Sequence, residues 1–482
     1  MNKKISGLLD KYSNLPSSVR ASVWFTICNI LQKGISMITV PIFTRILTEE
    51  QFGVYSVYQS WYQIIFVFAT LNLSNGVFNN GMIKYEDEKD KFISSMQGLT
   101  TTITVILIGI YLCSMNFWNN IFELSTILVL AMFIDFLVTP AMLFWSARQR
   151  FEFKYKKLVA VTLIMAAGSP VLGIITVLCT KYKAEARILS FAAVQIVIGL
   201  IFYVYNNYKG KCFYNKKFWK FALAFNIPLI PHYLSQSVLQ QSDRIMINSM
   251  AGTDKAAIYS VAYSISTMMI LVTAAINNSF IPYTYKKMKE KRYDEIRKNA
   301  NILVILVGIC MFIVIAFGPE IIKIFAPSSY YEAIWIIPPV AISVYFMFLY
   351  PLFGNIEFYF EENKYVAMAS ITGAIVNIVL NYLLIPVFGY IAAGYTTLFC
   401  YILFSAGHYI FMRKVSKKHI KGEKIYDIKF IAFFSILMLI GMVLMIFVYE
   451  LTILRYIFIL SLFVIVVIKR NYLLSAINNI KK

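Results

Sequence analysis

Charge is scarce in this chain, and histidine scarcer still. Asp, Glu, Lys and Arg make up only 14% of its 482 residues, apolar residues make up 59%, and there are three histidines. A water-soluble domain cannot carry that ratio, because its surface needs more charge. The six cysteines (Cys28, Cys113, Cys179, Cys212, Cys310 and Cys400) are scattered through apolar segments, except Cys212 in a basic loop. With no CxxC and no Cys/His ligand spacing, neither a disulfide framework nor a zinc site is suggested. The P-loop GxxxxGK[ST] is missing, so the chain is not expected to hydrolyse ATP itself, and HExxH and GxSxG are missing too. The expectation is therefore a protein that is not an enzyme, with no cofactor and no metal. No cleavable signal peptide is recognised, since the first apolar segment is too long and too polar for one and no A-x-A site follows it. No loop exceeds roughly 20 residues, which leaves little room for a catalytic module outside a membrane.

What is present is a succession of long apolar runs. Spans of the length a bilayer requires are expected at about 20–41, 53–72, 92–113, 122–145, 156–179, 187–206, 218–242, 256–280, 299–318, 333–354, 364–385, 390–411, 428–448 and 452–469. The fold class is thus all-α, a polytopic membrane protein of about 14 helices. A net charge of +21 invites a nucleic-acid reading, but the cations sit in short clusters between apolar runs. With the N-terminus inside, 36 of the 45 Lys and Arg residues fall in the inside segments, including Lys3, Lys4, Lys11 and Arg20 at one end and Lys469 to Lys482 at the other. That alternation predicts that both termini are cytoplasmic and that nucleic acid is not a partner.

The chain repeats itself. "VYSVYQS" opens the second span and "IYSVAYS" the eighth, with Tyr55 and Tyr259 separated by 204 residues. A second match follows at nearly the same offset: "NGVFNNGMIKY" from Asn75 against "NNSFIPYTYKK" from Asn277, placing Phe78 opposite Phe280. Six spans separate the copies, an even number, so the halves run parallel, related by an axis along the membrane normal. Transporters built this way bind substrate between the halves and rock around it. The expected domains are a six-helix bundle over 1–210, a second over 211–415, and two additional spans over 416–482.

The segment "VRASVWFTICNILQKGISMITVPIFTRILTEEQFGVYSVYQS", and within it Pro41 to Tyr55, resembles the first two helices of bacterial polysaccharide flippases of the O-antigen and capsule type. "QQSDRIMINSMAGTDKAAIYSVAYS", Gln240 to Ser264, resembles the start of the second half in the same family. These proteins belong to the multidrug/oligosaccharidyl-lipid/polysaccharide exporter superfamily. The resemblance implies translocation of an undecaprenyl-diphosphate-linked oligosaccharide across the bacterial cytoplasmic membrane, by alternating access. It also implies membrane lipids, a polysaccharide polymerase and chain-length machinery as partners.

Moving a diphosphate and a sugar through an apolar slab needs a hydrated path with cations. Span 1 carries a polar stripe at helical spacing, Ser22, Thr26, Asn29, Lys33 and Ser36. Lys33 is too deep to snorkel easily. It either faces a cavity as a substrate contact or forms a structural ion pair with Asp135. Span 7 carries His232, Gln236, Gln240 and Asp243–Arg244 behind Pro228 and Pro231, which should kink it, and span 2 adds Tyr55, Gln59 and Gln63. The glutamines are either substrate contacts or helix–helix hydrogen bonds. Arg45 and Arg244, near the outer ends of spans 1 and 7, either bind diphosphate or pair with Glu49 and Asp243. The resemblance carries a cationic substrate role to Lys33, Arg45 and Arg244. Asp135, the one acid deep in the first half, is a candidate proton or sodium carrier, and His232 a weaker one. Two other readings stay open: an ion-coupled drug exporter of the same superfamily, for which acids should line the path, and a membrane polysaccharide polymerase or acyltransferase, for which a sizeable external loop is wanted.

Overall fold

In a bilayer a backbone must satisfy its own hydrogen bonds, and every apolar run here does so as helix. The computed structural model describes residues 16–74, 76–360, 362 and 364–468. Among the described residues there are nineteen α-helices and no strand. Ten helical segments are long and apolar enough to cross a membrane. The other expected spans are also helical, but they are the polar helices of spans 2, 7 and 12 and the shorter final one. The terminal lysine clusters and Asn75 lie outside the described residues.

The chain forms two compact units, Met1–Ser237 and Val238–Lys482. The division falls at Ser237/Val238, inside span 7, and the last two spans lie in the second unit.

Unit 1 begins with α1 (Ser17–Ile46) and α2 (Glu49–Thr70). The turn between them is built into the motif. Thr48 and Gln51 form a reciprocal capping box, and Glu49 and Glu50 place negative charge at the N-terminus of α2. Next come α3 (Gly76–Lys84), α4 (Lys89–Cys113), α5 (Met115–Phe122), α6 (Thr126–Phe151), α7 (Tyr155–Cys179), α8 (Lys183–Gly210) and α9 (Lys216–Asn226). Buried amides fasten α4, α6 and α8. Asn206 donates to the Ala141 carbonyl at 3.0 Å and to Gln97 Oε1 at 3.1 Å, and Gln97 donates to the Tyr203 carbonyl at 3.1 Å. Gly199 lets α8 meet α6 closely, since a Cβ there would lie 2.9 Å from the Val138 backbone. Span 7 breaks as the prolines require: a 3-10 turn at Ile227–Leu229 separates α9 from α10 (Ile230–Ala251).

Unit 2 continues with α11 (Thr253–Thr267), α12 (Ile270–Lys289), α13 (Tyr293–Ala316), α14 (Gly318–Phe325), α15 (Ile337–Tyr359), α16 (Lys364–Phe388), α17 (Ala392–His419), α18 (Ile428–Val448) and α19 (Thr452–Ile468). The central helix is α15, most of whose residues are buried. α18 packs on α13 and α15, with Tyr345 and Ser435 hydroxyls 3.1 Å apart. α19 is tied to α14 where Arg455 pairs with Glu320, which also accepts from the Tyr456 hydroxyl at 2.8 Å.

The sequence echo has a structural counterpart inside each unit. Ser56 and Ser60 bond back to the carbonyls of Phe52 and Ser56, and Ser260 and Ser264 to those of Ala256 and Ser260. Phe78 and Phe280 are both fully buried. Both echoing helices also break before the second match. Unit 1 breaks at Leu71 and Asn72, in the left-handed region, and unit 2 at Met268–Met269. No proline explains the second break. Ser266 and Thr267 bond to carbonyls four residues back, an arrangement that bends helices.

Candidate functional site

In unit 1, the stripe Ser22, Thr26, Asn29, Lys33 and Ser36 is exposed along α1. The helix touches its unit mainly through α7 and shows most of its circumference, apolar residues included. Lys33 forms no ion pair among the described residues, and Asp135 is elsewhere engaged, so the Lys33–Asp135 pairing does not form. Asp135 is fully buried beside an aromatic cluster drawn from α2, α4, α5, α6 and α8. The Thr139 hydroxyl donates to its Oδ1, and the Tyr62 phenol interacts with the carboxyl, while Oδ2 has no hydrogen bond of standard geometry. The Tyr58 hydroxyl is likewise buried and without a hydrogen bond. Gln59 is half-buried with its Nε2 unbonded, and Gln63 is exposed. Arg45 donates to the Pro41 carbonyl at 2.7 Å.

A buried cation of unit 1 was not anticipated. Arg187, expected among the outer-loop charges, is 4% exposed at the start of α8. Its guanidinium lies between the rings of Phe43 (4.1 Å) and Tyr55 (4.5 Å) and donates to the Tyr55 hydroxyl at 3.1 Å. Gly173 leaves room for it, since a Cβ there would stand 3.0 Å from Nη1. The FGVY tyrosine thus serves as a platform for an arginine.

On α10, His232, Gln236 and Gln240 are all half-buried, and His232 lies beside Tyr233 with ring centroids 5.8 Å apart. Further along the helix, Asp243 and Arg244 do not pair with each other. Arg244 donates to Gln241 Oε1 at 2.7 Å and to the Gln240 carbonyl at 3.1 Å, over the Tyr263 ring at 4.4 Å. Asp243, 1% exposed, accepts from Tyr259 (2.5 Å), Thr397 (2.6 Å) and Asn381 (2.7 Å). Asn381 accepts from Thr396 and lies 3.4 Å from Asn377, which accepts from Ser242 at 2.8 Å. This network joins α10, α11, α16 and α17. A second buried group also escaped the sequence reading: Glu357 of α15 and His408 of α17, both fully buried, meet at 3.0 Å. Their signal was an acid in an apolar run, "NIEFYF", and one of only three histidines.

The profile of the polysaccharide biosynthesis protein family matches residues 18–288, more than half of the chain. The chain belongs to this family. The MatE profile also matches residues 228–383. Among curated relatives, the Haemophilus influenzae Lsg locus protein 1 is 22% identical over 372 residues, covering 74% of this chain and 88% of the relative. A membrane protein of the same organism is 19% identical over 371 residues, covering 75% and 88%. The fold is similar to that of the lipid II flippase MurJ in an inward closed conformation, with a TM-score of 0.68 at 15% identity over 93% of this chain and 99% of that one. It is also similar to an inward-facing multidrug resistance MATE transporter, TM-score 0.63, 12% identity, covering 83% and 99%. A superfamily transporter from Pyrococcus furiosus gives 0.56 at 14% identity, covering 83% and 96%. Family and fold together describe a multi-pass membrane protein of the polysaccharide biosynthesis family.

Proposed function

We propose that this chain flips undecaprenyl-diphosphate-linked oligosaccharide units across the bacterial cytoplasmic membrane, by alternating access, for surface polysaccharide assembly. One observation carries the choice of cargo. The deep carboxylates Asp135, Asp243 and Glu357 are enclosed among hydroxyls, amides or an imidazole of their own units, whereas Lys33 is exposed on a polar stripe with no carboxylate partner among the described residues. An exposed ammonium suits an anionic head group, and acids held out of reach suit a cationic drug poorly. The drug-exporter reading is the weaker one for that reason. Arg45 and Arg244 are proposed as further cations for the diphosphate, with Asn29, Gln59, Gln63, Gln236 and Gln240 as sugar contacts. The arrangement of fourteen spans with both termini inside, as two six-helix bundles and two further spans, belongs to this proposal. A polymerase and chain-length machinery would consume the flipped product.

Coupling to a proton or sodium gradient is proposed at Asp135, a fully buried carboxyl whose polar neighbours are the Thr139 and Tyr62 hydroxyls. His232 is the alternative candidate.

Reconstitution is the test. Liposomes holding the purified protein and a fluorescent polyprenyl-diphosphate oligosaccharide should deliver the sugar to an impermeant lectin or glycosidase on the opposite side. Absence of delivery by protein that extrudes a cationic dye would replace this reading with the drug exporter.

A further inference from the structure

A cavity of about 610 Å³ opens within unit 1, where the N-terminal ends of α1 and α7 meet the C-terminal ends of α6 and α8. It lies at the helix ends where Lys and Arg gather, the side expected to be cytoplasmic. Its size is that of a small-molecule site. Its charge is one-sided. Lys154 is neutralised by Glu152 at 2.6 Å, and Glu152 also takes Arg148 at 2.8 Å. The other cations lining the cavity, Arg20, Lys156 and Lys157, have no carboxylate partner among the described residues. Among the described residues the buried Arg20 Nε finds no acceptor, an arrangement that is costly unless something supplies one.

The walls are aromatic and fixed. Trp145 stands 4.2 Å from the Phe202 ring, and Tyr155, which precedes the two lysines, stacks on Trp24 of α1 with planes 4° apart. Beyond the cavity α8 presents Val197, Ile201 and Val204, each about 60% exposed and at helical spacing, an apolar track running from Tyr205 at the cavity wall toward the middle of the helix. Three unneutralised cations at a helix end, continued by an apolar track, match one chemistry: a phosphate head group on a long apolar chain.

We propose that this cavity binds the phosphate head group of a membrane lipid, with Arg20, Lys156 and Lys157 on the phosphate and the chain along α8. The assignment depends only on membrane residence, so it stands or falls separately from the cargo reading above. Each such cation near a lipid phosphate contributes roughly fivefold to binding, so removing three should weaken it about 100-fold.

The full-length protein, purified in a neutral detergent, is to be titrated with phosphatidylglycerol and with a synthetic polyprenyl diphosphate, and bound lipid counted by native mass spectrometry. The Arg20→Gln/Lys156→Gln/Lys157→Gln variant should lose binding of about that size with an unchanged unfolding midpoint. Neutralising Lys286, Lys289 and Lys291 instead should leave binding intact. If polyprenyl diphosphate displaces phosphatidylglycerol from the wild type, the site takes the diphosphate carrier. If it does not, the site takes bulk anionic phospholipid. Equal binding by the first variant and the wild type would overturn the proposal, as would an equal loss in the second variant. Displacement by inorganic phosphate as effective as by lipid would replace the lipid with a free anion. Should the triple variant unfold, the conservative Arg20→Lys/Lys156→Arg/Lys157→Arg variant must retain binding for the proposal to stand.

Discussion

Removing the Asp243 carboxylate should be among the most damaging single changes in unit 2, and the structure says by how much. Asp243→Ala strands the hydroxyls of Tyr259 and Thr397, both buried, while the Asn381 amide keeps only its 3.4 Å contact with Asn377. An orphaned buried donor costs about 1–3 kcal/mol, so the two hydroxyls alone amount to about 2–6 kcal/mol. That is a large part of the roughly 5–15 kcal/mol by which an ordinary domain is stable. Asp243→Asn should cost less, about 1–3 kcal/mol, because one amide oxygen survives and the hydroxyls can rotate to accept from the new amine. Thr397→Val removes a single charge-assisted bond at nearly constant volume and should cost about 1.5–3 kcal/mol. The readout is the fraction of protein remaining monodisperse in detergent after graded heating, with Asp243→Ala failing at the lowest temperature. An Asp243→Ala protein that survives heating as well as the wild type would refute the network as a fastening of α10, α11, α16 and α17.

Asp135→Asn is expected to abolish dependence of transport on a proton or sodium gradient at near-normal protein level; unchanged gradient dependence in proteoliposomes would exclude coupling through this residue. Cysteines introduced into 148–157, 286–298 and 413–427 should react only from the cytoplasmic side, and labelling of the 286–298 loop in intact cells by an impermeant maleimide would contradict the N-inside arrangement. The Glu332 carboxyl is held below its ordinary range by the Tyr390 hydroxyl, 2.7 Å away, and by Lys255 at 3.2 Å. A lowered carboxyl contributes stability that is fully present above its unfolded value, near 4.5, and lost as pH falls through the folded one. Glu332→Gln should therefore unfold slightly earlier than the wild type at pH 7, by about 0.2–1 kcal/mol as for an exposed pair, and the difference should shrink as pH falls below 4.5.

The helices were legible because a bilayer leaves the chain little choice: an apolar run of sufficient length must be helical, and each expected span is. Pro228 and Pro231 announced the break in span 7. The break in span 8 was hidden, because it rests on serine and threonine hydroxyls returning to their own helix rather than on a proline. The repeat was legible as words but not as chemistry. Tyr55 and Tyr259 match in sequence, yet one accepts from Arg187 and the other donates to Asp243, partners brought in from distant segments. Charge partnerships were the least legible. Asp243 and Arg244 are neighbours in sequence, but on a helix adjacent residues point about 100° apart. Each therefore finds different partners. Asp135 and Lys33 matched in depth along their helices, but depth alone says nothing of which way a side chain faces.

Lys33 as a contact for an anionic head group is open to one direct measurement. In cells making the surface polysaccharide, the leaflet position of the lipid-linked precursor should be followed in Lys33→Ala, Lys33→Arg and Lys33→Ala/Asp135→Ala strains with protein level monitored. Precursor should be trapped on the cytoplasmic side in Lys33→Ala at normal protein level, with partial export in Lys33→Arg, where the charge survives in another shape, and no recovery in the double variant, since the two residues form no pair. Normal export by Lys33→Ala, or export restored by adding Asp135→Ala, would exclude Lys33 as an essential head-group contact.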